Sequence, residues 1–276
     1  MFIDCFLVDK MYKRFNGLTT VNVELTSRCN KNCWMCGRRK IDRDYPEIAM
    51  KYGDMELELA ESIAKQLPEG IIVQLHNNGE PLLYPQFRKA AGLFNRQIRC
   101  MDTNGKLIVE KADEIIDNLD TLTISTFEHD KEVDEQYKLI KEFLIIKGKR
   151  KPSVIIRCLG NMDLDRYKKL GCIIATRILH SPMGSFKYKG NPTVPEIGIC
   201  LDLLNHMVIS HDGGVSICVR FDPGRLGVIG DANKTTLIEI WNSPKRREWL
   251  RYHIEGRRDK VPLCSYCEFW GVPTGY

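Results

Sequence analysis

The chain has 276 residues, 43% hydrophobic and 28% charged, which is ordinary globular composition and excludes a disordered or fibrous chain. Net charge is +5, from 41 basic and 36 acidic residues mixed along the chain, so no nucleic-acid partner is expected on charge. No apolar stretch approaches the roughly 18 residues of a spanning helix, and the start, Met1-Phe2-Ile3-Asp4, carries an early acid and no basic run. Neither a signal peptide nor a membrane anchor is therefore expected, and the expected setting is cytoplasmic. There, eleven cysteines read as metal ligands or catalytic groups rather than disulfides.

Residues 21–26 read as a first strand. Residues 60–67 read as an amphipathic helix and 70–76 (GIIVQLH) as a second strand. Helical 86–95 precedes strand 98–102, and helical 107–118 precedes strand 121–126. Helix 131–146, strand 153–159, helix 163–170 and strand 172–178 complete about six βα units, which predict an α/β fold with a parallel sheet and helices outside it. Such sheets carry their active sites at the carboxyl ends of the strands. The pattern breaks at 181–195, where Pro182, Gly184, Gly190, Pro192 and Pro195 read as a linker. Beyond it, 206–210 and 214–220 flank His211-Asp212-Gly213-Gly214, a β-hairpin signal. Residues 235–254 are helical, with a break and restart at Trp241-Asn242-Ser243-Pro244, and 261–276 is loop-like. Two domains are expected, 1–190 and 196–276.

Cys29, Cys33 and Cys36 form C-x3-C-x2-C just after the first strand. At this cysteine content the spacing arises by chance in roughly 1–2% of chains. It could be coincidence or part of a zinc site, but zinc sites are usually closed by four ligands in paired spacings. Three thiolates in one tight loop suit an iron–sulfur cube with one iron left unligated by protein.

The run Cys29-Asn30-Lys31-Asn32-Cys33-Trp34-Met35-Cys36 resembles the signature of the radical S-adenosylmethionine (SAM) enzymes, whose fold is a TIM-like partial (β/α)6 barrel. Asn78-Gly79-Glu80-Pro81, after the second strand, resembles the family's GGEP motif with Asn for the first Gly. Thr103-Asn104-Gly105, after the third, matches its TNG, and Ser125 lies where the family often has a serine near the SAM ribose. Taken singly these are turn sequences; their order at successive strand ends carries the resemblance, over about 18–180. It implies a 4Fe–4S cluster on the three cysteines, with SAM chelating the open iron. Met35 would meet the adenine through its backbone. In the Asn78–Pro81 turn, Glu80 would accept from the SAM amino group and Gly79 would let backbone approach the ligand. Asn104 and Ser125 would be ribose partners. One electron, from a donor such as flavodoxin or ferredoxin, would cleave SAM to a 5′-deoxyadenosyl radical that takes hydrogen from an unactivated C–H bond.

Four more cysteines, Cys200, Cys218, Cys264 and Cys267, lie in the tail. With Leu226-Gly227-Val228-Ile229-Gly230-Asp231, Leu237 through Ser243, Arg251 and Pro262, they resemble the SPASM/twitch extension of radical SAM enzymes, in its shorter form with one auxiliary cluster. The small hairpin-plus-helix domain would then hold a second 4Fe–4S cluster. A structural zinc on four thiolates is the competing reading. The 18-residue gap before a distant CxxC also resembles the aminocyclitol dehydrogenases, a branch known from butirosin biosynthesis. Cys5, Cys100, Cys158 and Cys172 remain, the last three in expected strands and read as core.

Arg157 interrupts an apolar strand, so it needs an anionic partner: the SAM carboxylate, the substrate or a structural carboxylate. His76 ends the second strand and could face the pocket or be structural. Arg177 and His180 carry the same ambiguity, Arg220 lies two residues beyond Cys218, and residues 147–151 read as a solvated basic loop. The function expected is net oxidation of a small polyol, sugar or aminocyclitol. The rivals are a peptide-modifying enzyme, disfavoured by the 28 residues before Cys29, and a non-catalytic iron–sulfur scaffold.

Overall fold

The computed structural model describes residues 14–177, 179, 199–265 and 267. The linker expected at 181–195 and the candidate His180 lie outside them. The strands are β1 (Thr20–Val23), β2 (Ile72–Gln74), β3 (Ile98–Thr103), β4 (Thr121–Phe127), β5 (Ser153–Leu159), β6 (Ile173–Arg177), β7 (His206–Ile209), β8 (Gly214–Ser216) and β9 (Val228–Asp231). The longer helices are α1 (Gly37–Asp44), α2 (Leu57–Gln66), α3 (Phe87–Leu93), α5 (Val133–Lys147) and α9 (Pro244–Ile254). Between them are α4 (Ala112–Ile115), α6 (Asp165–Lys168), α7 (Leu201–Asn205) and α8 (Leu237–Trp241).

Alternation along the strands decides the architecture. Val21, Val23, Val73, Met101, Leu122, Ile124, Val154 and Ile156 are buried, in one core with Ile63, Phe87, Ala90, Ile140, Phe143 and Tyr167 from the helices. Each such side chain stabilises the fold by roughly 1.5–3 kcal/mol relative to exposure. Because successive side chains point to opposite faces, the residues between them face the other way. There stand Asn22, Gln74, Cys100, Asp102, Ser125 and Arg157, polar apart from the thiol, beside the apolar Ile155. An ordinary (β/α)8 interior is packed with branched apolar residues. This sheet is parallel from β6 through β1 and turns a polar face inward, as the wall of a partial barrel with a lumen does.

The expected hairpin of the tail is present, but it is not a sheet of its own. The order is β6-β5-β4-β3-β2-β1-β7-β8-β9, one nine-stranded sheet. β7 runs parallel to β1 from Thr20↔His206 to Val23↔Ile209, and β8 and β9 follow antiparallel. The physical reason is β1's open edge: without β7 its backbone N–H and C=O groups on that side would lack partners. The tail still has a core of its own: Leu203, Ile217, Trp249, Val261 and Cys264.

Other differences are local. Of the helix expected at 107–118, only Ala112–Ile115 forms. α1 and β9 carried no expectation. Cys172 precedes β6 rather than lying in it, and Cys100 is half-buried on the inner face; Cys158 is core as expected. The break at 241–244 holds: Thr236 and Glu239 form a capping box on α8, and Ser243 caps α9 with Pro244 in its first turn.

Candidate active site

The first cysteine set lies just beyond the carboxyl end of β1. Cys36 N–H donates to Cys33 O at 3.1 Å, and Cys36 leads directly into α1. From α1, Arg39 Nη2 donates to the carbonyls of Cys29 and Lys31, both at 3.0 Å. Lys31 is buried, paired with Asp130 at 2.6 Å, and Trp34 Nε1 donates to Glu128 O at 3.0 Å. The loop is thus fastened to the carboxyl end of β4. Burial, and then the neighbouring Cys36 and Cys29 thiols, push the Cys33 thiol up to about 12. Three soft donors close enough to repel one another as thiolates fit an iron–sulfur group, whose binding would release their protons.

The Asn78–Pro81 turn is built against this loop. A Cβ on Gly79 would stand 2.1 Å from Thr26 O and 2.8 Å from Arg28 O. The close approach expected toward a ligand is therefore made toward the cysteine loop's own backbone. Glu80 is a hub rather than a free acceptor. Its carboxylate accepts from Thr103 Oγ1 at 2.7 Å, Asn104 N at 2.8 Å and Leu82 N at 3.2 Å, the last capping the 3-10 turn Pro81–Leu83. Burial raises its pKa to about 7 against those bonds. Its role here is to lock the second and third strand ends together. Asn104 Nδ2 donates to Asn30 Oδ1 at 2.8 Å and lies 3.9 Å from Cys29 Sγ, so Asn104 stands at the mouth of the cysteine set. Ser125 is half-buried and pairs in register with Arg157, and Met35 sits half-buried between Cys33 and Cys36. A cavity of about 270 Å³ opens beside the loop, lined by Phe127, His129, Asp130, Asn161 and Met162 among others.

Glu24 was missed by the sequence reading. It is fully buried just beyond β1, accepts Asn78 N–H at 2.9 Å and pairs with His211 at 3.2 Å, tying the turn to the tail hairpin.

Below this rim the lumen holds Arg157 and His76. Arg157 is not left for the SAM carboxylate: it pairs with Asp102 of β3. A guanidinium in a low-dielectric interior requires an anion, and Asp102 supplies it from two strands away. His76 Nδ1 accepts from Asp102 N at 3.0 Å, and its Nε2 lies 3.4 Å from Asp102 Oδ2. Burial lowers the His76 pKa and favours the neutral ring, while Arg157 and His76 together hold Asp102 below the usual carboxylate range against its own desolvation. The signal for Asp102 was available: like Arg157, it is a charge within a strand. Deeper, His206 Nε2 lies 2.6 Å from Asn22 Oδ1 and its Nδ1 3.5 Å from Asp202.

The tail cysteines lie at the opposite end. Cys200 precedes α7 and β7, and β7 starts level with Thr20, the first residue of β1. β8 runs the other way, so Cys218, beyond its end, returns to the same side. Burial raises Cys218 well above the thiol range, with Asp202 and Cys200 beside it, and raises Cys264 to about 12, with Cys200 and Cys267 beside it. The four thiols are thus neighbours, although among the described residues no three His, Cys, Asp or Glu converge at single-ion distances. Arg220 lies near Asp202, and Arg177 is half-buried at the end of β6. Among the described residues no helix is long and apolar enough to cross a membrane.

Fold and site together resemble the radical SAM partial barrel with an iron–sulfur tail domain. Residues 200–268 match the SPASM family, an iron–sulfur cluster-binding domain. The S-adenosyl-L-methionine-dependent 2-deoxy-scyllo-inosamine dehydrogenase of Niallia circulans is 24% identical over 261 residues, covering 92% of this chain and 94% of that protein. BtrN in complex with AdoMet and 2-DOIA has the same fold, with TM-score 0.63 at 19% identity over 94% of this chain and 97% of that one. So does SuiB of Streptococcus suis bound to precursor peptide SuiA, with TM-score 0.62 at 14% identity over 95% of this chain and 73% of that one.

Proposed function

We propose that this chain is a radical SAM dehydrogenase that oxidises an alcohol carbon of a small polyol, sugar or aminocyclitol to a ketone. The observation that carries the reading is a polar lumen with one set of thiols beyond the carboxyl ends of its strands and a second set beyond the amino ends. When bound, 4Fe–4S clusters and S-adenosylmethionine supply one-electron chemistry, with hydrogen abstraction at one end of the lumen and an electron acceptor at the other.

The chain's own residues hold and aim. Cys29, Cys33 and Cys36 would hold the first cluster through three ligands, and Cys200, Cys218, Cys264 and Cys267 would hold the second through four. Asn104 and Ser125 would bind the SAM ribose at the mouth, on a rim that Glu80 keeps rigid. Asn22, His76 and Arg157 line the space where a polyol's hydroxyls find partners. A protein electron donor such as flavodoxin or ferredoxin completes the system. A second reading, peptide modification, draws on the likeness to SuiB, which was solved with a precursor peptide.

The test is an anaerobic assay of the reconstituted protein with dithionite, SAM and 2-deoxy-scyllo-inosamine. The expected result is 5′-deoxyadenosine and a ketone product in equal amounts, from protein holding about eight irons, two cubes' worth. Turnover of a peptide with the cyclitol untouched favours the second reading. No 5′-deoxyadenosine from cluster-loaded protein overturns both and leaves the scaffold.

A further inference from the structure

The inner wall bears a polar triad from three strand positions whose central member, Asp102, has no role in the proposed chemistry. Asp102 (β3) is flanked by His76, just beyond β2, and Arg157 (β5), and each keeps part of its side chain open: 17%, 16% and 24%. Arg157 and His76 both address the same oxygen, Oδ2. A carboxylate has about four acceptor sites, so Asp102 retains capacity. Asp102 is also well placed. It lies two residues before Asn104, which directly follows β3, and Asn104 Nδ2 reaches the Cys29 thiol. A group held by Asp102 therefore lies just below the first cysteine set, where the reacting C–H bond must be.

Charge narrows what that group can be. The Arg157 guanidinium is neutralised by Asp102, so the triad offers no free cation to a carboxylate or phosphate. It offers a desolvated carboxylate, which takes O–H and N–H donors; bonds of this charge-assisted kind are the strong ones. Resting on the dehydrogenase reading, we propose that Asp102 is the substrate-binding carboxylate of the lumen, receiving a hydroxyl or ammonium of a polyhydroxylated amine, and that Arg157 and His76 are positioning residues that fix it.

The experiment is calorimetric titration of 2-deoxy-scyllo-inosamine into the reconstituted, SAM-loaded protein, alongside an anionic polyol, glucuronate. The wild type is expected to bind the amine and not the glucuronate. Asp102→Asn is expected to lose about tenfold or more in affinity, the worth of one hydrogen bond to a charged group, whereas Arg157→Gln, which leaves the carboxylate in place but unfixed, loses less, about threefold. SAM affinity, measured on each variant, separates a local loss from a folding defect. Asp102→Asn binding like the wild type overturns the proposal. So does the reverse ranking, with Arg157→Gln losing more affinity for the amine than Asp102→Asn, or preferential binding of glucuronate. A wild type that binds neither compound is a different failure: it overturns the dehydrogenase reading on which the proposal rests.

Discussion

The two cysteine sets are built by different means. Cys29, Cys33 and Cys36 sit within eight residues, and their geometry is largely local: the chain leaves β1, turns and enters α1, with Arg39 clamping two carbonyls of the turn. Cys200, Cys218, Cys264 and Cys267 span 68 residues and meet only because β7, β8, α9 and the closing loop pack around Leu203, Ile217, Trp249 and Val261. One set is a sequence motif held by neighbours; the other is a product of tertiary structure. Both end as mutually close, largely half-buried thiols, with burial pushing Cys33 and Cys264 each up to about 12.

That contrast sets the expected size of each perturbation. Cys29→Ala removes the site where SAM would meet iron; 5′-deoxyadenosine falls below detection, and about four of eight irons are lost. Cys218→Ala loses a similar amount of iron, yet 5′-deoxyadenosine still forms while the ketone does not. Chromatographic assay beside an iron count separates the two, and equal loss of 5′-deoxyadenosine in both would erase the functional distinction between the sets. Gly79→Ala is a packing change: its methyl would collide with the Thr26 and Arg28 carbonyls, which costs about 2–3 kcal/mol of stability in a denaturant titration and weakens SAM binding. The corresponding Gly256→Ala in the tail, at positive φ but with open space around it, costs about 1 kcal/mol from backbone strain alone.

A further effect is a pH slope. The Glu80 pKa is raised from 4.5 to about 7 by burial, so between those values the folded chain holds a proton that the unfolded chain has released. Stability therefore falls as pH rises from 4.5 to 7, and the contribution is fully lost above that. Glu80→Gln flattens this part of the curve, measured as melting temperature against pH; an unchanged slope would mean that Glu80 is not the titrating group.

How much was legible follows from the same physics. The strand 153–159 was read to the residue because its β-branched apolar run is bounded by Pro152 and Gly160, and α8 and α9 were separable because capping residues mark both starts. The first cysteine set, Glu80 and Asn104 could be singled out because spacing and turn chemistry are local, and the structure brings them together at neighbouring strand ends. The partner of Arg157 was not, since which carboxylate lies two strands away depends on sheet register, and Asp102 became visible only when β3, β4 and β5 were aligned. Glu24 and His211 escaped for the same reason, being 187 residues apart. The continuation of the barrel sheet into the tail was hidden because two strands that pair in parallel carry no signal in the chain between them.

The central claim is that hydrogen leaves a substrate carbon held in the lumen between the two sets. It is tested most directly with 2-deoxy-scyllo-inosamine deuterated at its ring carbinol carbons, incubated anaerobically with the reconstituted protein, dithionite and SAM. The account predicts one deuterium in the 5′-deoxyadenosine for each ketone formed. Unlabelled 5′-deoxyadenosine with the cyclitol recovered intact would contradict it.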